Sequence, residues 1–158
     1  MNENTLWMAL TAVGVLGALV VGFGIRKLHG KIKEAWPEFL CPLLQFRYSE
    51  NDARSIAHTM EEKGLAQPYR RLIQLMLAMM AEVLLLLMAA THNITDIAWL
   101  QQTMFALSGV IWLTGSMECL LLQKCPKPAS LLAYAKWGAF ALWTLGMFAG
   151  LFIRSTVY

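Results

Sequence analysis

The sequence predicts an all-α polytopic membrane protein: a four-transmembrane-helix bundle, with a cytoplasmic amphipathic helical segment between the first and second crossings. Three observations lead there. Hydrophobic residues make up 58% of the 158 residues and charged residues 15%, with a mean hydropathy of +0.51, far from the mixture of soluble domains. Four apolar stretches, about 6–25, 72–92, 98–122 and 132–153, each approach the ~20 residues a helix needs to cross ~30 Å of hydrocarbon. Lysine and arginine concentrate between those stretches on one side, the asymmetry that orients membrane proteins. The chain therefore reads as a single membrane domain over 1–158.

The first stretch opens with Glu3 and carries Arg26, Lys27, Lys31 and Lys33 after its apolar run. A cleavable signal peptide has its positive charge first, so this is a retained helix with its N-terminus outside. Gly14, Ala18 and Gly22 fall at i, i+4 and i+8, a small-residue stripe that lets another helix approach closely, within the bundle or from a partner.

From Arg26 to Arg71 the chain turns polar. Glu38–Phe46, between Pro37 and the proline within it at Pro42, is too short and too broken to cross. Its Trp36 neighbour and its own Phe39, Leu40, Leu43, Leu44 and Phe46 place it in the interface or under the bundle. Ser49 followed by Asp52 resembles a capping box. Ala53, Ile56, Ala57 and Met60 then mark one apolar face of a helix over about 50–63, and Gly64 stands where a C-terminal cap belongs.

Pro68 precedes the second crossing. The turn His92–Ala98 holds no lysine or arginine and belongs outside; its Asn93-Ile94-Thr95 matches a glycosylation acceptor but hugs the membrane. Residues 123–131, with Lys124 and Lys127, return the chain through the cytoplasm, and Lys136 follows; Gly146 and Gly150 form a second close-approach motif on the last helix. Trp7, Trp99 and Tyr158 would sit at the outer interface and Trp36, Tyr69, Tyr134 and Trp137 at the inner one. Cys41, Cys119 and Cys125 all fall in the cytoplasmic half, where thiols stay reduced. The expected location is a bacterial inner (plasma) membrane with both termini periplasmic.

No motif names a reaction. The net charge of +3 is a topology signal with no basic stripe for nucleic acid, and the cysteines lack metal-binding spacing. Catalytic residues, metal and cofactors are all expected to be none. The residues singled out are intramembrane polar ones. A carboxyl at bilayer depth costs about 2.5–3.5 kcal/mol on insertion scales, so Glu82 should face protein, together with Leu75, Ala78, Met79, Leu86 and Ala89. Ser108, Thr114 and Glu118 line a polar face of the third crossing, with Glu118 expected to pair with Arg70, Arg71 or Lys124. In size, crossings and long first loop the chain is similar to the membrane-bound glutathione and eicosanoid enzymes; their Arg, Asn, Glu signature is not reproduced by Arg71, Gln74 and Glu82.

The functional expectation is a non-enzymatic accessory, assembly or regulatory subunit. It would act by helix association through Gly14, Ala18, Gly22, Gly146 and Gly150, with other membrane subunits or a second copy as partners in the bilayer. The alternative is a small transporter, channel or proton-conducting component using Glu82 and Glu118.

Overall fold

A computed structural model describes residues 2–157 apart from Phe46 and Gln123, and at Val157 the backbone only. Among these residues the chain is all-helical: α1 (Glu3–Ala35), α2 (Glu50–Glu62), α3 (Ala66–Ile94), α4 (Ala98–Leu121) and α5 (Pro126–Val157), with a 3-10 turn at Pro42–Leu44. The four helices α1, α3, α4 and α5 are long and apolar enough to cross a membrane. Both termini and the α3–α4 turn gather at one end, here the termini end; the 36–49 loop, α2 and the α4–α5 turn form the loop end.

Local chemistry sets the boundaries. Asn2 caps α1 by accepting from the Thr5 N–H at 2.7 Å, which satisfies a first-turn donor. α1 then runs unbroken through the basic segment and stops at Trp36, held at φ −140°, ψ 88°, because the residue before a proline is pushed out of the helical region. Ser49 and Asp52 close a reciprocal capping box on α2. At its other end the N–H of Leu65 bonds to the Met60 carbonyl at 2.8 Å and that of Gly64 to the Glu61 carbonyl at 3.2 Å. This closing motif needs the left-handed φ of +70° that Gly64 adopts.

Two boundaries differ from the sequence reading. α3 starts at Ala66 with Pro68 inside its first turn, and α5 starts at Pro126. Most of the expected loop over 123–131 is therefore the first turns of α5. Prolines are tolerated there because first-turn N–H groups have no helical partner to lose.

The spans pack in the order α1–α3–α4–α5, with only a light contact between α3 and α5. α1 lies on α3 through a ladder of glycines: Gly14 meets Leu85 and Leu86, Gly22 meets Met79, and Gly24 meets Leu75. Gly17 is the tightest rung, since a Cβ there would overlap the Glu82 carboxyl group. The most apolar stretch of α1 is only 6% buried, against 39% for α4. The outward face of α1 carries large aliphatics such as Leu16, Leu19 and Val20, each more than half exposed, as lipid-facing residues are.

The loop end holds its own core, with Phe39 and Ile32 fully buried beside Tyr69, Leu72, Ala129 and Ala133. The 36–49 loop thus tucks under the helices, although Leu40 and Leu44 stay exposed. Tyr69, read from sequence as an interface anchor, is instead 3% exposed and meets Phe39 edge-on at 6.0 Å. At the termini end Trp7 stacks on His92 at 4.5 Å, and Arg154 donates to the Asn93 carbonyl at 3.0 Å. Tyr158 and Phe46 lie outside the described residues.

The Gly17 rung predicts a coupled pair. Gly17→Val should cost about 1–3 kcal/mol by overpacking and do much less harm in a Glu82→Ala background. Thermal unfolding of the four proteins of this double-mutant cycle in one detergent measures it; additive effects would remove Glu82 from the α1–α3 seam.

Candidate functional site

The polar residues of the spans divide between two seams. Glu118 is fully buried on the inner face of α4. Its Oε2 lies 2.7 Å from Lys136 Nζ on α5, and its Oε1 accepts from the Tyr48 hydroxyl at 2.9 Å. Lys136 Nζ also donates to the Leu43 carbonyl at 3.2 Å. One buried pair therefore ties α4, α5 and the 36–49 loop together. Next to it, Trp137 Nε1 donates to the Gln45 carbonyl at 3.1 Å.

This replaces the expected partners of Glu118. Arg70, Arg71 and Lys124 are exposed, whereas Lys136 is 8% exposed and points inward. The signal for that was periodicity: Ala129, Ala133, Lys136, Ala139 and Trp143 are all buried, and their 3- and 4-residue steps put the lysine on the inward face of α5.

Glu82 sits apart on the α1–α3 seam, against Gly17, and its Oε2 is buried without a hydrogen-bond partner among the described residues. Ser108 and Thr114 do not join either acid through their hydroxyls. Ser108 Oγ donates to the Met104 carbonyl at 2.9 Å and Thr114 Oγ1 to the Val110 carbonyl at 2.7 Å, bonds that satisfy a hydroxyl within its own helix. Gly146 lies against Met104, and Gly150 against Ile94, Thr95 and Leu100, while Ala18 is half-buried on α1. Gly14, Gly22, Gly146 and Gly150 thus all face neighbours in the same chain.

Between α1 and α5, which share no packed interface, lies a cavity of about 450 Å³. Gly22 and Ile25 bound it on the α1 side, Trp137 and Phe140 on the α5 side, and Met76 and Met80 form part of its floor. Gly115 opens the floor further, since a Cβ there would run into the Met80 methyl and the Lys136 chain. The Lys136 chain lines the wall, and Leu43 and Leu44 close the loop end. Volumes of ~300–1,000 Å³ with apolar walls and few polar groups are typical of small-molecule sites. Methionines suit such walls because their unbranched chains adapt to an occupant.

No family model, curated protein or solved structure matches this chain. Among the described residues, no three metal-ligating side chains cluster.

Outside the spans, two groups of the loop have raised pKa values. Burial, then the adjacent Glu118 carboxylate, holds the Tyr48 phenol above its usual range. Burial pushes the Cys41 thiol from 9.0 to about 11. A raised folded-state value means stability that is intact below the unfolded value and lost as pH rises through the folded one. For Cys41 that window runs from 9.0 to about 11. Unfolding in detergent should become easier across it, and Cys41→Ala should flatten that part of the pH profile.

Removing one member of the buried pair should be worse than removing both. Lys136→Met leaves Glu118 buried and uncompensated, an expected loss of about 3–5 kcal/mol, whereas Lys136→Met with Glu118→Met should recover most of it. Denaturation of the single and double variants distinguishes the two; equal losses would mean the pair is solvated.

Proposed function

We propose that this chain is a non-enzymatic accessory component of a bacterial inner membrane that works by binding, taking one apolar molecule sideways from the bilayer into the cavity between α1 and α5. The observation that carries this is the one-sided attachment of α1. It packs mainly on α3, which leaves a cavity touched by all four long helices yet without a packed α1–α5 wall. Its lining residues run only from Ile111 to Cys119 along α4, about 12 Å at ~1.5 Å per residue. A crossing helix would need ~30 Å, so an apolar small molecule or a single lipid chain fits better than a partner helix.

Association through the glycine stripes has less to work with, because Gly14, Gly22, Gly146 and Gly150 already meet their own chain. A conducting role for Glu82 and Glu118 draws support from the unpartnered Glu82 oxygen. Against it, Glu118 is neutralised by Lys136 on a different seam. The reading puts the loop end in the cytoplasm, supported by the lysines and arginines gathered there.

Two measurements test it. Gly22→Leu places a side chain in the cavity with its Cβ only in ordinary contact, 3.5 Å from the Met79 methyl. Native mass spectrometry of gently extracted protein should find an apolar ligand on the parent and lose it in this variant, which should still unfold cooperatively, at a temperature lowered by the loss of the ligand; equal occupancy in both would sink the cavity as the site. Cys125 is exposed, while Cys41 and Cys119 are buried. A membrane-impermeant thiol reagent should therefore label Cys125 in inverted vesicles and spare it in intact cells.

A further inference from the structure

A second cavity, of about 520 Å³, lies at the loop end among α2, α3 and α4. Arg70 from the start of α3 and Lys124 from just beyond α4 both line it. Both side chains are exposed, and neither has an ion-pair or hydrogen-bond partner among the described residues. Below the two cations the wall turns apolar. On α3 it passes from Arg70 to Ile73 and Leu77, and on antiparallel α4 from Lys124 to Leu120. Steps of three and four residues keep Arg70, Ile73 and Leu77 on one face of α3, and Leu120 on α4 lies further from the loop end than Lys124, so both walls grade from cation to hydrocarbon in the same direction. Gln74 adds an amide at the boundary, and Glu61 of α2 a single opposing charge.

We propose that this cavity binds the phosphate of a glycerophospholipid, with the headgroup between Arg70 and Lys124 and an acyl chain along Leu77 and Leu120. Two positive charges against one negative leave a net field for an anion. The guanidinium of Arg70 offers a fork to phosphate oxygens and Lys124 a point charge. Basic recesses between helices at the membrane edge suit lipid headgroups, and the apolar wall selects a phosphate that carries a chain. The site shares only the wall at Cys119 with the cavity between α1 and α5, and neither proposal depends on the other.

The test uses the full chain in an uncharged detergent, with thermal unfolding as readout. Phosphatidylglycerol should raise the melting temperature saturably. Diacylglycerol with the same chains and inorganic phosphate should each leave it unchanged. The Arg70→Gln, Lys124→Gln double variant should melt like the parent without lipid and bind phosphatidylglycerol at least about tenfold more weakly. Glu61→Gln, at the same rim, should bind it more tightly. The proposal is overturned if diacylglycerol stabilises equally, if inorganic phosphate alone suffices, or if the double variant keeps the parent's affinity. A double variant that melts early is replaced by the Glu61→Gln comparison, where weaker or unchanged binding overturns it too.

Discussion

The Glu118–Lys136 pair is the contact on which the loop end depends. Two charges withdrawn from water lose several kcal/mol of hydration each, recovered only with good geometry and further hydrogen bonds. Here the carboxylate is held by an ammonium at 2.7 Å and a phenol at 2.9 Å, while the ammonium also reaches a loop carbonyl. Lys136 comes from α5, and Tyr48 and the Leu43 carbonyl from the loop, so the pair fixes α4, α5 and the 36–49 loop at once. An apolar contact in the same place would hold them with less directional demand. That demand also makes the loop a lid of fixed position: Leu43, whose carbonyl takes the ammonium, closes one end of the cavity beside α1.

The other acid works by a different rule. Among the described residues Glu82 has no ion-pair partner; what it has is the notch left by Gly17. Removing the Cβ lets the carboxyl lie against the α1 backbone, the shielded placement that a carboxyl on a helix long and apolar enough to cross a membrane requires. The glycines of α1 thus do two things together. They bring α1 close to α3, and with Gly14, Gly17, Gly22 and Gly24 turned toward α3 the outer face of α1 is left rich in large aliphatics such as Leu16, Leu19 and Val20. α1 needs no second helix beside it, which is why the bundle can stay open on the α5 side.

Much of this was legible in the sequence. The four long apolar helices, the α2 capping box, Gly64 and the protein-facing side of Glu82 follow from hydropathy, spacing and the cost of charge in hydrocarbon. The partner of Glu118 was not, because charge near a span end ordinarily marks the water interface, and Lys136 lies only twelve residues beyond Lys124 in sequence. The alanine periodicity of α5 outweighs that habit: a residue in register with Ala129 and Ala133 turns inward whatever its chemistry. Gly17 was hidden for a related reason. A stripe counted in fours catches Gly14, Ala18 and Gly22, whereas a helix of 3.6 residues per turn also brings i+3 to the same face. The position of Tyr69 depends on where Phe39 lands, a long-range fact that no local pattern carries.

The two acids also bear on how the chain can work. A proton path needs titratable groups joined by water or by each other, with each free to change charge. Glu118 is fixed by an ammonium and a phenol, and Ser108 and Thr114, the hydroxyls that share its helix face in sequence, bond to their own backbone. Changing the charge of Glu118 would strand Lys136 in the interior, so the pair resists the cycle that transport demands. A lock of this kind suits a fixed wall. The floor beside it is built from Gly115 and from Met76 and Met80, whose unbranched chains can adjust to an occupant without moving the helices. Rigid polar anchoring at one end with a yielding apolar floor is the combination a site needs to admit a flexible apolar chain and still hold its own shape.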